Sequence, residues 1–168
     1  MASLLEFAET GAAERPSALV DTARVVADVV AGLAPTLDGS SIVVSDALPV
    51  LPGDPVQLAR LFQNLLDNAV KFRSAAPLRV EVQAERAGDD WLFRVSDNGT
   101  GVGPEFTDRI FGMMQRERRG NQPGTGMGLA ICRKIVDYHG GRIWLDTGAE
   151  RPGATFRFTL PAAADPAG

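Results

Sequence analysis

The most regular hydrophobic pattern of the chain lies between residues 58 and 72. Asp54 and Pro55 precede it and supply an N-cap and a first-turn proline. The apolar side chains recur at the i, i+3, i+4, i+7 spacing of an amphipathic helix, at Leu58, Leu61, Phe62, Leu65, Leu66, Ala69 and Val70. The pattern therefore predicts a long helix with one buried face.

Shorter patterns on the N-terminal side predict a second helix and a strand. Ser17 is placed to cap a helix that Gly32 and Pro35 end. The β-branched run in residues 41–48 predicts a strand, and residues 49–54 a proline-rich loop. The apolar face of the predicted helix is formed by Leu19, Val20, Ala23, Val26, Ala27 and Val30.

Alternation of apolar and polar residues predicts a hairpin in the middle of the chain. Residues 78–85 form its first strand and residues 87–90 its turn. Asp97 has the same parity as the apolar residues of the second strand, so we expect a carboxylate at the end of the buried face. Those apolar residues are Trp91, Phe93 and Val95.

The C-terminal part of the chain predicts one more helix and two strands. The helix extends from about Leu129 to Tyr138, where Gly140-Gly141 stops it. Strands are expected at residues 142–147 and 154–160. The residues from Pro161 onward are predicted to lack fixed structure.

Composition narrows the class of protein. A chain of 168 residues, 45% of them hydrophobic, is long enough for one domain with its own core. The net charge is −4 with both signs interspersed, which argues against a nucleic-acid partner. No apolar run approaches the length that spans a bilayer, and residues 1–11 lack the apolar region of a signal peptide. Cys132 is the single cysteine, so we expect a cytoplasmic setting without an internal disulfide.

One edge of the long helix is polar. At about 100° per residue, Asn64, Asn68 and Lys71 fall within a sector of roughly 60°. Asparagine is a poor helix former, because its amide competes for nearby backbone groups. Two interpretations are open: a solvated polar face, or an edge that holds a cation and a phosphate.

Two glycine-rich segments follow the hairpin. In the first, residues 97–103, Asn98-Gly99 alone would signal a hairpin turn, but no partner strand follows, so we expect a loop. Residues 104–111 are predicted to form one or two helical turns, and residues 112–123 a mobile, basic loop.

The second glycine-rich segment, residues 124–128, opens the last helix. Glycine lets N–H groups approach an anion, and a helix N-terminus adds positive potential. Neither segment fits the P-loop or the Rossmann pattern.

In this order, the segments resemble the ATP-binding catalytic domain of sensor histidine kinases, in the superfamily that includes gyrase and mismatch-repair ATPases. Residues 64–72 are similar to the asparagine box, residues 97–101 to the first glycine box and residues 124–131 to the second. Residues 110–114 resemble the phenylalanine box, except that Met114 stands where a second phenylalanine is usual. The amino-acid sequence of this segment is most similar to that of kinases attached to phytochrome-like sensors.

The resemblance covers residues 15–161 and implies an α/β (α+β) two-layer sandwich. A mixed five-stranded sheet would be backed by about three helices. Residues 1–14 would be the end of a dimerisation-domain helix or a linker, and residues 162–168 a disordered tail. The resemblance also implies that Mg-ATP binds between the long helix and a lid formed by residues 112–123.

The resemblance assigns roles to the polar residues. Asp97, which only accepts hydrogen bonds when ionised, suits the exocyclic amine of adenine. Asn68 is the expected Mg²⁺ ligand. Asn64 and Lys71 are the expected catalytic residues, with Asn64 supporting the ion and Lys71 neutralising phosphate charge.

The other contacts with ATP are assigned to Phe72 and to the glycine and phenylalanine boxes. Phe72 would pack near the adenine, and the N–H groups at the start of the last helix would meet the phosphates. One arginine of the basic loop is expected to reach the γ-phosphate, and which one is open. The residues of this set are Phe72, Gly99, Gly101, Val102, Phe111, Arg116, Arg118, Arg119, Thr125, Gly126, Met127, Gly128 and Leu129.

Three functions are compatible with this site. The first is a kinase module that passes the γ-phosphoryl group of ATP to a histidine on a separate dimerisation domain, with a response regulator as a partner of the parent protein. The second is a self-contained ATPase, which is disfavoured because Asn64 stands where hydrolysing relatives carry a glutamate base. The third is a nucleotide-binding regulatory module without turnover.

The only histidine of the chain is expected to be structural. His139 follows the last helix, where contact with the final carbonyls is favourable. The chain is therefore expected to bind ATP but to lack the acceptor histidine. It is also expected to be a monomer.

Overall fold

The computed structural model describes residues 16, 18–36, 39–45, 47–101, 128–146 and 153–163. The helices are α1 (Thr22–Leu33), α2 (Pro55–Lys71) and α3 (Gly128–Tyr138), and a 3₁₀ turn (Ala34–Thr36) follows α1. The strands are β1 (Leu19–Asp21), β2 (Ser41–Val44), β3 (Val50–Pro52), β4 (Arg79–Ala87), β5 (Asp90–Asp97), β6 (Ile143–Leu145) and β7 (Thr155–Pro161).

Five of the strands form one mixed sheet in the order β2-β4-β5-β7-β6. β2 pairs with β4 in parallel, and the other neighbours are antiparallel. Burial alternates along β7, so one face of the sheet packs against the helices and the other is open. This arrangement confirms the two-layer fold and the mixed five-stranded sheet.

An aromatic cluster joins α2 to the centre of the sheet. Phe93 on β5 and Phe158 on β7 are register partners, and their rings stack with centroids 4.9 Å apart. Phe62 on α2 meets both rings edge-on, at 5.9 and 5.7 Å. All three side chains are fully buried. Removing a ring of this kind from a core costs about 3–5 kcal/mol, so the cluster fixes α2 over β5 and β7.

The predicted start of α2 is confirmed. Oδ1 of Asp54 accepts the N–H groups of Val56 and Gln57 at 2.9 and 3.2 Å, and Pro55 occupies the first turn. This cap satisfies N–H groups that have no partner within the helix.

The predicted end of α3 is confirmed as well. Gly141 N–H donates to Val136 O at 2.9 Å, and Gly140 N–H donates to Asp137 O at 3.0 Å. Gly140 has a φ of 86°, which L side chains rarely adopt. The two bonds form the Schellman motif that ends many helices, so the Gly140-Gly141 pair has the predicted function.

The predicted hairpin is also present. β4 and β5 pair up to Ala87 and Asp90, which leaves a two-residue turn of Gly88 and Asp89. Gly88 has a φ of 65°, as the favoured two-residue hairpin turns require.

The N-terminal region differs from the prediction. Leu19 and Val20, which were expected in a helix, belong to β1. β1 pairs antiparallel with β3, which lies inside residues 49–54, the segment predicted as a loop. Val20 and Leu51 face each other in this ribbon and are both buried, so core packing outweighs the helical spacing.

The first helix accordingly starts later than predicted. Asp21 is its N-cap, and Oδ1 of Asp21 accepts the N–H groups of Ala23 and Arg24 at 3.1 and 3.4 Å. Ser17, the predicted cap, lies outside the described residues. β2 and β6 are shorter than the strands predicted at residues 41–48 and 142–147, because edge strands have a partner on one side only.

Several predictions concern residues that the structure does not describe. They include the helical turns of residues 104–111, the basic loop of residues 112–123, the tail of residues 1–14 and most of the tail of residues 162–168. The domain boundaries therefore stay predictions. Within the described ranges, no helix combines the length and the apolar character needed to cross a membrane.

Candidate functional site

Asp97 ends β5 on the face of the sheet that packs against the helices. Its register partner is Val80, which is 1% exposed, so the parity argument is confirmed. Oδ1 of Asp97 accepts the N–H groups of Gly99 at 2.8 Å and of Ala154 at 3.2 Å. Main-chain donors from two separate segments therefore fix the orientation of this carboxylate.

The loop after Asp97 rests on the C-terminal end of α2. Thr100 donates to the carbonyl oxygen of Phe72 through its N–H at 2.9 Å and through its hydroxyl at 3.2 Å. A Cβ atom at Gly99 would lie 2.5 Å from the same oxygen, so only glycine permits this approach. The first glycine segment is thus held one turn away from Asn68, whose carbonyl accepts the Phe72 N–H at 3.2 Å.

Asn98 ties the same loop to the start of β4. Its Oδ1 accepts the Arg79 N–H at 2.7 Å, and its Nδ2 donates to Pro77 O at 3.1 Å. The side chain therefore has a structural role, which the sequence did not indicate. It braces the segment that follows α2.

Asn64 lies against the start of α3. A Cβ atom at Gly128 would lie 3.5 Å from Oδ1 of Asn64. The Nδ2 atom of Asn64 is buried and has no hydrogen-bond partner among the described residues. A buried amide donor without a partner costs about 1–3 kcal/mol, so this atom points to a ligand or a water.

Helices α2 and α3 run antiparallel along this contact. Three residues back along α2 and four residues onward along α3, Cys132 donates weakly through Sγ to Leu61 O at 3.8 Å. Burial raises the pKa of the Cys132 thiol, so this cysteine is a packing residue. The asparagine edge of α2 therefore faces the helix start that the second glycine segment precedes.

Asn68 and Lys71 complete the polar edge of α2. Asn68 is half-buried, whereas Lys71 is exposed in the last turn of the helix. Within the part of the chain that the structure describes, neither side chain has a hydrogen-bond or ion-pair partner. An amide oxygen and an ammonium group are thus available along one edge for a ligand.

The structure brings together the predicted site residues that it describes. They lie along the edge of α2, in the loop after β5 and at the start of α3: Asn64, Asn68, Lys71, Phe72, Asp97, Gly99, Gly101, Gly128 and Leu129. The Leu129 side chain faces the core, so only its main chain can belong to a binding site. The remaining residues lie outside the described ranges: Val102, Phe111, Arg116, Arg118, Arg119, Thr125, Gly126 and Met127.

Sequence reasoning missed the contribution of β7. Ala154, just before this strand, supplies one of the two donors to Asp97, and Gly153 precedes it with a φ of 102°. The available signal was a glycine directly before an apolar strand, which marks a close approach of two backbone segments.

His139 has the structural role that the sequence indicated. Its ring is 3% exposed, its Nδ1 lies 2.8 Å from Ile135 O, and its Nε2 accepts the Asp54 N–H at 3.1 Å. Since Nε2 is the acceptor, the proton is on Nδ1. Burial lowers the pKa of His139, and the Ile135 carbonyl and the Asp54 charge only partly oppose this. The imidazole is therefore neutral.

A cavity of about 340 Å³ lies on the open face of the sheet, away from these residues. Its lining includes Arg94 and Arg157. Arg94 donates to Gln83, and Arg157 forms a 2.7 Å ion pair with Asp146. Because both guanidinium groups have partners within the sheet, the candidate site remains at the edge of α2.

The fold and the site define a two-layer α/β domain of the nucleotide-binding ATPase and kinase class. A mixed sheet carries the fixed carboxylate, and a polar helix edge meets the start of a second helix. The chain belongs to the histidine kinase-, DNA gyrase B-, and HSP90-like ATPase family (HATPase_c), whose sequence profile matches residues 53–164.

Two curated relatives illustrate this membership. The chain is 50% identical over 120 residues to cyanobacterial phytochrome A of Nostoc sp. The aligned residues cover 71% of this chain and 16% of the relative. It is 36% identical over 160 residues to phytochrome-like protein Cph1 of Synechocystis sp. Here the aligned residues cover 94% of this chain and 21% of the relative. The chain thus spans less than a quarter of either relative.

Solved structures agree with the sequence relatives. The mycobacterial sensor histidine kinase MprB matches with a TM-score of 0.79 and 27% identity, covering 88% of this chain and all of that one. Full-length ShkA in complex with AMPPNP matches with a TM-score of 0.78 and 31% identity, covering 96% of this chain and 35% of that one. The resemblance to histidine kinase catalytic domains is therefore confirmed.

Proposed function

We propose that this chain is the catalytic module of a sensor histidine kinase, which binds Mg-ATP and passes the γ-phosphoryl group to a histidine on a dimerisation domain. The observation that carries the proposal is the Asp97 carboxylate, which two main-chain donors hold beside the C-terminal end of α2. Membership of an ATPase family and similarity to the AMPPNP complex of ShkA support an adenine nucleotide as the ligand.

The base would bind at Asp97. An ionised carboxylate accepts hydrogen bonds and donates none, so it suits the exocyclic amine of adenine and repels the carbonyl of guanine. Phe72 is half-buried at the end of α2 and would pack near the adenine ring.

The phosphates would lie along α2, toward the start of α3. Mg²⁺ favours oxygen ligands and usually takes one or two from the protein with the rest from phosphates and water. The Asn68 amide oxygen fits that pattern, and the buried, unpartnered Nδ2 of Asn64 fits a polar ligand or water beside it. When bound, the ion would neutralise phosphate charge, as would the ammonium of Lys71.

Phosphoryl transfer is favoured over hydrolysis at this site. An amide at Asn64 cannot take a proton from water, so the site lacks the general base that the ATPase alternative needs at this position. The acceptor would be a histidine of the dimerisation domain, and a response regulator would act downstream through the parent protein. One of Arg116, Arg118 and Arg119 is expected to contact the γ-phosphate, and the isolated chain is expected to be a monomer.

The test is calorimetric titration of the chain with ATP, adenosine and GTP, with and without Mg²⁺. We expect ATP and adenosine to bind, GTP to bind far more weakly, and Mg²⁺ to strengthen only the binding of ATP. Adding a cognate dimerisation domain with labelled ATP should produce acid-labile label on that domain. Equal affinity for ATP and GTP, or rapid hydrolysis without transfer, would contradict the proposal.

A further inference from the structure

Gly153 stands at the closest backbone crossing in the candidate site. It has a φ of 102°, a region that L side chains rarely adopt. A Cβ atom at this position would overlap the Asp97 carbonyl oxygen and lie 2.6 Å from the Asp97 carbonyl carbon. It would also lie 2.9 Å from Cα of Asn98. Because all these atoms belong to the main chain, no rotamer change could relieve the overlap.

This close approach allows a reciprocal contact between the segment before β7 and the end of β5. Asp97 N–H donates to Ala154 O at 2.9 Å, and Ala154 N–H donates to Oδ1 of Asp97 at 3.2 Å. The second donor to Oδ1 is Gly99, in the loop of Asp97 itself. The carboxylate is therefore oriented by a distant segment that can reach it only if residue 153 has no side chain.

The first glycine segment meets the same position from the other side. Gly101 has a φ of 78°, and a Cβ atom there would lie 3.1 Å from the Gly153 carbonyl oxygen. Gly153 is thus packed between the end of β5 and the loop that follows it. A shift at residue 153 would displace both supports of Asp97.

We infer that Gly153 is a positioning residue for the nucleobase, which sets the affinity for adenine by holding the Ala154 N–H on the Asp97 carboxylate. This inference rests on the proposed function, because it assumes that Asp97 contacts adenine. Without the Ala154 donor the carboxylate is held less firmly, and a misplacement of about 1 Å is enough to weaken recognition strongly.

The first test is Gly153→Ala, with adenosine as the calorimetric probe. We expect the adenosine affinity to fall roughly tenfold or more, as for loss of a hydrogen bond to a charged group. The matched control is Gly39→Ala. Gly39 also has a positive φ, 76°, but its Cβ would meet nothing within 4 Å. The control therefore carries the backbone strain alone, and its adenosine affinity should equal that of the unsubstituted chain.

A second variant tests the inference even if Gly153→Ala fails to fold. Replacing Ala154 by lactic acid, through an ester bond, removes the N–H that donates to Asp97 and changes no side chain. The same replacement at Ala162 removes a main-chain bond to Asp89 O of 2.9 Å at the far end of β7. Both esters should cost similar stability in urea unfolding, whereas only the ester at position 154 should weaken adenosine binding and shift the amide proton resonance of Gly99.

The outcomes separate the two proposals. If the unsubstituted chain binds neither ATP nor adenosine, the proposed function fails, and the inference fails with it. If the unsubstituted chain binds adenosine and the ester at 154 binds it equally well, the inference alone is overturned. Equal losses of affinity in the two esters would also overturn it, because they would indicate a general structural role.

Discussion

The main-chain N–H of Asp54 donates to Nε2 of His139 at 3.1 Å, which joins the start of α2 to the residue that follows α3. The ring fits closely there, since a Cβ atom at Gly53 would lie 3.3 Å from Cδ2 and Nε2 of His139. Tyr138 meets the imidazole edge-on with centroids 5.4 Å apart. Only a neutral imidazole can accept this bond, so protonation of His139 opposes the contact between the two helices.

The first prediction concerns the stability of the fold against pH. The folded-state pKa of His139 is lowered by burial below the ordinary value of about 6.5. Its contribution to stability is therefore fully present above pH 6.5 and is lost as the pH falls from there through the lower folded-state pKa. The free energy of unfolding, measured in urea between pH 8 and 5, should decline below pH 6.5.

The control for this prediction is His139→Gln, which does not titrate. Its unfolding free energy should be lower than that of the unsubstituted chain at pH 8, and it should change less between pH 7 and 5.5. Parallel pH curves for the two proteins would contradict the assignment.

The second prediction is that the isolated chain acquires no phosphohistidine. Both ring nitrogens of His139 are engaged in hydrogen bonds, and the ring is buried at the end of α3 opposite to the predicted phosphate site. In-line attack on a γ-phosphoryl group needs an accessible, well-placed nitrogen. Incubation with labelled ATP and Mg²⁺ should leave the chain unlabelled. Acid-labile label on His139 would refute both the site and the need for a separate acceptor domain.

The third prediction concerns Asp97→Asn. This variant keeps the shape of the side chain but replaces a charged acceptor by an amide, so adenosine and ATP should both bind more weakly, by about 1–3 kcal/mol. Calorimetry on the two proteins measures the difference. An unchanged adenosine affinity would mean that the base binds elsewhere.

The fourth prediction concerns Asn68→Ala. If Asn68 is the metal ligand, this variant should lose most of the enhancement of ATP binding by Mg²⁺ and keep its affinity for adenosine. A suitable control position on α2 is Gln63, whose side-chain amide donates to Asp67 Oδ1 at 2.9 Å. Gln63→Ala is therefore the control and should keep the Mg²⁺ effect. The same Mg²⁺ enhancement in all three proteins would exclude Asn68 as the ligand.

The sequence was most informative where a pattern extends over many residues. The seven apolar positions of α2 repeat often enough to define its buried face, and the alternation in β4 and β5 fixes the side on which Asp97 emerges. The two-residue turn at Gly88 needed only local information. These predictions were confirmed because each depends on periodicity or on a single turn.

The missed features depend on contacts between distant segments. β1 and β3 have three residues each, too few for alternation to be recognised, and about 30 residues separate Leu19 from Leu51. The bonds from Ala154 to Asp97 and from Asp54 to His139 span 57 and 85 residues. No local pattern encodes such contacts, since they arise only when the sheet and the helices have assembled.

The pairing of β4 with β5 also makes the geometry of the candidate site depend on a distant turn. Because side chains alternate between the faces of a strand, a slip of one residue in this pairing would move Asp97 from the helix side to the open face. The turn at Gly88 and Asp89 lies about 25 Å from Asp97 along the strand, at roughly 3.3 Å per residue. The turn of the hairpin thus fixes which side chain of β5 lies at the candidate site, although the turn is remote from that site.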